Sequence, residues 1–144
     1  MSWKPDITVA AVVERDGRFL IVEERIATRL VYNQPAGHVE AGEDFLQAVR
    51  RETLEETAWH FEPQWLLGIY RWQAPGKPRS TLRFAYAGIV RNHEPQRALD
   101  LPVVAAHWLT RAQLMAVPAR TPLVLQCVDD YLAGVRLPLS AVNS

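Results

Sequence analysis

Cysteine is almost missing from this chain: Cys127 stands alone. A single thiol excludes an intrachain disulfide and suits a reducing compartment. It sits in an apolar helical run, where it reads as a small buried hydrophobe. An excess of either charge is missing too, with 16 basic and 16 acidic residues. The chain therefore carries no net field to attract a nucleic-acid polymer or an acidic membrane. Long hydrophobic runs are also lacking. Ile7 to Val13 is apolar but is bounded by Asp6 and Glu14, well short of the roughly 20 residues that cross a bilayer. No signal-peptide pattern, internal repeat, low-complexity tract or linker stands out. A chain of 144 residues is long enough to bury a core without staples. The expectation is one domain over residues 1–144, soluble, cytoplasmic and monomeric.

What the chain does have is a clear alternation of elements. Ile7 to Glu14 is β-branched and apolar, the pattern of a strand buried on both faces. Asp16-Gly17 predicts a turn and Phe19 to Glu23 its hairpin partner. Val31 to Asn33 is a short extended piece that leads into a Pro35-Ala36-Gly37 loop, where proline and glycine hold a tight turn. Asp44 caps a helix from about Phe45 to Thr57. Strands follow at Trp65 to Trp72 and Thr81 to Val90, broken by Ala74 to Pro78. Arg91 to Pro102 reads as a loop and Ala105 to Leu109 as a strand. Thr110 caps a brief helix, Arg111 to Met115, and Pro122 opens a last helix that ends near Gly134. Strands flanked by helices predict an α/β fold with a mixed central sheet between helical layers.

The chemistry concentrates in the first helix, on Glu52, Glu55 and Glu56. Residues three and four apart share a helix face, and like charges so placed cost roughly 0.2–0.5 kcal/mol per pair. An acidic helix is ordinarily a solvated face. Here the angular positions argue otherwise. With Glu52 at zero and roughly 100° per residue, Phe45 falls near 20°, Val49 near 60° and Ala48 near −40°. The acids prolong the apolar stripe instead of opposing it. Carboxylates turned toward a protein body need partners or a metal, and hard divalent ions take oxygen ligands.

The spacing supports that reading. Five residues separate Gly37 from Glu43, seven more lead to Arg51-Glu52, and Glu55-Glu56 follow two later. This pattern resembles the Nudix box, G-x5-E-x7-R-E-U-x-E-E-x-G-U. Thr53 departs from it where an aliphatic residue is usual, and Ala58 replaces the last glycine. Alanine there implies either a longer helix or a cap costing about 1 kcal/mol. Segments outside the box also look like a bacterial phosphatase branch of the Nudix family: Asn33 to His38, Leu82-Arg83-Phe84, Pro122 to Val124 and Gly134 to Leu139. The likeness is weaker over Arg91 to Pro102. It implies a Nudix-type α/β/α sandwich and hydrolysis of phosphoanhydrides in nucleoside tri- and diphosphates and thiamine-related pyrophosphates, including thiamine pyrophosphate and hydroxymethylpyrimidine pyrophosphate.

Carried over residue by residue, the likeness makes Glu52 and Glu56 the principal ligands of Mg²⁺, or of Mn²⁺, which also suits oxygen donors. Glu55 is a further ligand or orients the attacking water. The backbone carbonyl of Ala36 completes the shell, and Gly37, Glu43 and Arg51 serve the motif structurally, the last two as an ion pair. Asp100 and Glu94 are candidates for the general base. Arg25, Arg29, Lys77, Arg79 and Arg83 are candidates for the non-scissile phosphate, because guanidinium forks match phosphate oxygens. An exposed strand arginine is the competing reading of Arg83. Tyr32, Tyr70 and Trp72 are aromatic enough to stack on a base, although core packing is their usual fate. His38 contacts phosphate or is a surface residue, and His107 reads as structural. The partner is thus a small phosphorylated compound. The rival functions are a pyrophosphatase for ADP-ribose or oxidised nucleotides, a Nudix module that binds without cleaving, and a plain structural domain.

Overall fold

The computed structural model describes residues 3–144. Strands β1 (Asp6–Arg15) and β2 (Arg18–Ile26) form a hairpin around Asp16 and Gly17, and β3 (Arg29–Asn33) adds antiparallel to β2. A short strand β4 (Ala36–His38) precedes helix α1 (Phe45–Thr57). Long strands β5 (His60–Gln73) and β6 (Ser80–Arg91) follow, then β7 (Val103–Leu109), α2 (Arg111–Met115) and α3 (Leu123–Leu132). A 3-10 turn at Leu139–Ala141 was not expected from the sequence.

The two faces of β1 explain the layers. Ala10 and Val12 pack with Val124, Cys127 and Val128 on the α3 side, whereas Val9, Ala11 and Val13 pack with Ala48 and Val49 on the α1 side. Alternate residues of one strand feed two cores, so the strand is apolar throughout and helices cover both faces. Cys127 is fully buried among these side chains. The fold is an α/β/α sandwich with a mixed sheet, since β1 runs parallel to β6 and antiparallel to its other partners.

One departure from the expected loop matters. Residues Ala36, Gly37 and His38 are a strand paired with Ala10, Val9 and Thr8 of β1, and not part of a tight Pro-Gly turn. β1 pairs with β2 only near the hairpin turn, at Glu14–Phe19 and Arg15–Arg18. Beyond that point β1 takes β4 as its neighbour on that edge, and β2 takes β3, while β7 pairs along the other edge of β2. The two strands therefore part toward the open end of the hairpin, and the gap between them becomes the cavity described below.

Helix α1 keeps its expected bounds. Asp44 accepts from the Gln47 N–H at 2.7 Å while the Gln47 side chain accepts from the Asp44 N–H at 2.9 Å, a reciprocal cap. Thr53 is fully buried where an aliphatic residue would sit, and its hydroxyl donates to the Val49 carbonyl at 2.7 Å. The polar atom is thus satisfied inside the helix. Ala58 ends the helix at φ 63°, so the structure decides for a left-handed cap over a longer helix. Its methyl is buried. Burying it contributes about 0.8 kcal/mol, against roughly 1–2 kcal/mol for the backbone conformation, so part of the cost of lacking glycine is offset.

Gly88 on β6 faces Pro63, where the β5 register shifts. A methyl at Gly88 would lie 2.0 Å from the backbone carbonyl oxygen of Glu62. Backbone on both sides leaves nothing flexible to yield. Gly88→Ala is expected to cost about 1–3 kcal/mol, read as a lowered urea midpoint with an unchanged slope.

Candidate active site

The site is organised by one guanidinium. Arg51 lies on α1 and reaches back to the segment before the helix. Its Nε and Nη2 donate to the two carboxylate oxygens of Glu43 at 2.7 and 3.0 Å, and Nη2 also donates to the His38 carbonyl at 3.1 Å. Its Nη1 donates to Glu52 and to Glu55, each at 2.9 Å. The expected Arg51–Glu43 pair is present and extends to two of the three helix acids. Hydrogen bonds from Arg51 hold Glu43 below the usual carboxylate range, and the same contacts raise Arg51. The like-charge cost within the helix is offset where it arises.

Glu52 rests against β4. A Cβ at Gly37 would stand 2.2 Å from its Cδ and Oε1. Gly37 is required here by this close approach, since its φ is not in the left-handed region. Burial raises the Glu52 carboxyl, opposed by Arg51. Glu56 is 7% exposed and accepts the Ala36 N–H at 2.9 Å. Burial foremost, with the charges of Glu52 and Glu24 adding, pushes Glu56 up to about 8. The N–H of Ala36 and the nearby Arg120 only partly oppose this. The acids are therefore turned inward, as the apolar stripe implied.

They border a cavity of about 710 Å³, whose wall includes Glu24, Asn33, Ala36, Gly37, His38, Arg51, Glu52, Glu55, Glu56, Trp72, Arg83, Asp100 and Arg120. Two of these escaped the sequence reading. Glu24, at the diverging end of β2, is 3% exposed. Its Oε2 accepts from Arg120 at 3.0 Å, and among the described residues nothing donates to its buried Oε1. Arg120 is set in place by its backbone N–H, which donates to the Tyr32 carbonyl at 2.8 Å. The available signal was a pair of acids, Glu23-Glu24, directly after the apolar run Phe19 to Val22 of one strand.

The other candidates divide. Arg83 does face away from Leu82 and Phe84, but not into solvent: it is 4% exposed, and it donates to Gln34 Oε1 at 2.7 Å and Asn33 Oδ1 at 2.8 Å. It borders the cavity through a guanidinium already committed to two amides, which corrects the exposed-strand reading. Tyr32 opens instead onto a separate recess with His107, Leu109, Gln113, Ala116 and Val117. Arg25 is exposed and is not part of the cavity wall. The alternation of a strand explains both: Asn33 and Glu24 point inward, so their chain neighbours Tyr32 and Arg25 point away. Arg29 and Lys77 are exposed and likewise outside the wall, and Arg79 pairs with Asp6 at 2.7 Å. Trp72 and His38 reach the cavity, while Tyr70 donates to Asp130 at 2.7 Å below α3. His107 bonds Glu23 at 2.7 Å. Asp100 lines the cavity, and its N–H donates to the Glu55 carbonyl at 2.9 Å. Glu94 is outside, bonded to His60.

Hard carboxylate oxygens, an unpartnered buried oxygen on Glu24 and a glycine that makes room for Glu52 fit a divalent cation. Among the described residues no three acidic, cysteine or histidine side chains converge into a ready-made shell, because Arg51 draws Glu52 and Glu55 to itself. The donor set suits the ion, and the ion has a guanidinium to compete with.

The NUDIX domain model matches residues 4–127. Phosphatase NudJ of Escherichia coli is 37% identical over 142 residues, 98% of this chain and 92% of that protein, and phosphatase NudJ of Shigella flexneri matches to the same extent. A solved NUDIX hydrolase from Nitrosomonas europaea is 45% identical, with a TM-score of 0.95, over 98% of this chain and 97% of that one. With the box from Gly37 to Glu56 folded around one cavity, and relatives this similar over almost the full length, the chain belongs to the Nudix family of hydrolases.

Proposed function

We propose that this cavity hydrolyses phosphoanhydride bonds in nucleoside tri- and diphosphates and related pyrophosphates, with thiamine pyrophosphate and hydroxymethylpyrimidine pyrophosphate in range, and that it uses Mg²⁺ or Mn²⁺. The whole chain, residues 1–144, acts as one unit in this reading. The observation that carries it is the inward turn of the α1 acids, with Glu52 seated on Gly37 and Glu56 on the Ala36 N–H. Relatives named as phosphatases support the reaction class. The cavity volume is in the range of small-molecule sites and favours a mononucleotide-sized ligand over a polymer.

Glu52 and Glu56, one helical turn apart, would hold the cation with Glu55 and the carbonyl of Ala36. When bound, it would neutralise phosphate charge and make water a better nucleophile. The chain's own residues do the positioning. The Ala36 N–H fixes the Glu56 carboxylate, and Arg51 sets the rotamers of Glu52 and Glu55. Water attacks phosphorus, the bridging P–O bond breaks, and two phosphate-bearing products leave. Asp100, on the cavity wall, would accept the water's proton, and Glu94 lies outside that wall. Arg83 and Arg120, on the wall, would lend positive charge toward the non-scissile phosphate, and Trp72, on the same wall, would stack on a base. Tyr32 and Arg25 have no part in this account.

A metal-dependent phosphate-release screen over nucleotides, sugar nucleotides and thiamine pyrophosphate, with products resolved, tests the substrate range. Activity confined to ADP-ribose or oxidised nucleotides would sink it. Glu56→Gln is expected to lower kcat by about 10²-fold or more with an unchanged circular dichroism spectrum. Gly37→Ala is expected to leave the fold intact, since the added methyl meets only the flexible end of Glu52, while displacing that carboxylate and cutting kcat/KM at least about tenfold. Asp100→Asn should lower kcat with little change in KM, and Glu94→Gln should change neither.

The raised Glu56 carboxyl also sets a pH dependence. Its folded value of about 8 lies above the unfolded 4.5. Between these values the metal-free folded state keeps a proton that the unfolded chain releases. Stability therefore falls as pH rises through that window and levels off above it. Melting temperatures in chelator should drop from pH 5 to 8, and Glu56→Gln should flatten the slope.

A further inference from the structure

Among the described residues, Glu24 is the cavity acid with a fully buried oxygen that no donor answers. Its carboxylate is nearly sealed from solvent, one oxygen is held by Arg120, and Oε1 has no donor among the described residues. A carboxylate accepts at both oxygens, and leaving one bare in a buried place is unfavourable. Glu23 and Glu24 are neighbours on β2, and strand alternation turns them to opposite faces. Glu23 is bound by His107, whereas Glu24 enters the cavity wall.

An ordered water would answer Oε1, but it would not answer the charge. Seven acidic residues line this cavity against three arginines. Arg51 is occupied by Glu43, Glu52 and Glu55, and Arg83 by two amides. The charge of Glu24 is close enough to Glu56 to help raise its carboxyl. They stand on different elements, a strand and a helix, and both line the cavity. A donor that relieves both must itself be positive.

We propose that Glu24 is a further ligand of the divalent-cation site, supplying Oε1 from strand β2. This rests on the reading that the cavity binds such a cation. Arg120 then acts as a positioning residue that holds Oε2 and so orients Oε1.

The test is Mn²⁺ binding to the metal-free protein without substrate. Free Mn²⁺ is followed by electron paramagnetic resonance, and solvent positions on the bound ion by water-proton relaxation. Glu24→Gln, which keeps the Arg120 hydrogen bond, should weaken Mn²⁺ binding by about 10- to 100-fold and leave the bound ion with one more exchanging water. Glu56→Gln is measured beside it. Weakening in both variants with the extra water supports the proposal. Loss in Glu56→Gln with unchanged affinity and hydration in Glu24→Gln overturns the role of Glu24 alone. Unchanged binding in both overturns the cation site as well. Should Glu24→Gln fail to fold by near-ultraviolet circular dichroism, Glu24→Asp, which keeps the charge but draws the oxygens back by one methylene, is read by the same criteria.

Discussion

Everything at this site depends on placing several like charges in one poorly solvated space. Arg51 makes that tolerable. Its fork grips Glu43 while its remaining nitrogen spans Glu52 and Glu55, so one cation ties the pre-helix segment to the helix and neutralises part of the acid cluster. Buried ion pairs seldom add much stability once desolvation is counted. The return here is organisation. Glu56 lies beyond Arg51's reach, takes only a backbone N–H, and carries a carboxyl pushed up to about 8. The residual imbalance is what a divalent ion would correct.

The fold supplies the space by letting a hairpin come apart. β1 and β2 pair at their turn and then choose different neighbours. Because β4 fills the vacated edge of β1, the backbone of Ala36 and the bare face of Gly37 are delivered to the helix acids. β2 meanwhile carries Glu24 to the cavity wall. A small shift in pairing thus brings acids from a strand and a helix to the wall of one cavity. The helix itself needs little help: its reciprocal cap at Asp44 and Gln47 and its satisfied threonines are local devices.

Much of this was legible in order along the chain. Helix bounds from Phe45 to Thr57 followed from a cap and an apolar stripe, and the same stripe told which way the acids point. The both-faces-buried character of β1 foretold two helical layers. The misplacement of Tyr32 and Arg25 and the exposed-strand reading of Arg83 share one cause. Tyr32, Arg25 and Arg83 were weighed by residue type, yet their roles depend on which face of a strand they occupy and on what approaches that face. Tyr32 and Arg25 alternate with Asn33 and Glu24 and so face away, and Arg83 is claimed by two amides from the Asn33-Gln34 segment. Gly37 was assigned a turn because glycine is usually explained by φ, whereas here a carboxylate needs the room.

The sequence by itself determined the family, the layered α/β plan and the trio Glu52, Glu55 and Glu56, because these rest on short-range periodicity and fixed spacing within one helix and its approach. Only the tertiary structure decided that Glu24 and Arg120 join them, that Asp100 and not Glu94 faces the cavity, and that Tyr32 does not. Those assignments arise where separate strands and loops meet, and spacing along a chain carries no information about which face of a strand will look into a gap opened by its neighbours.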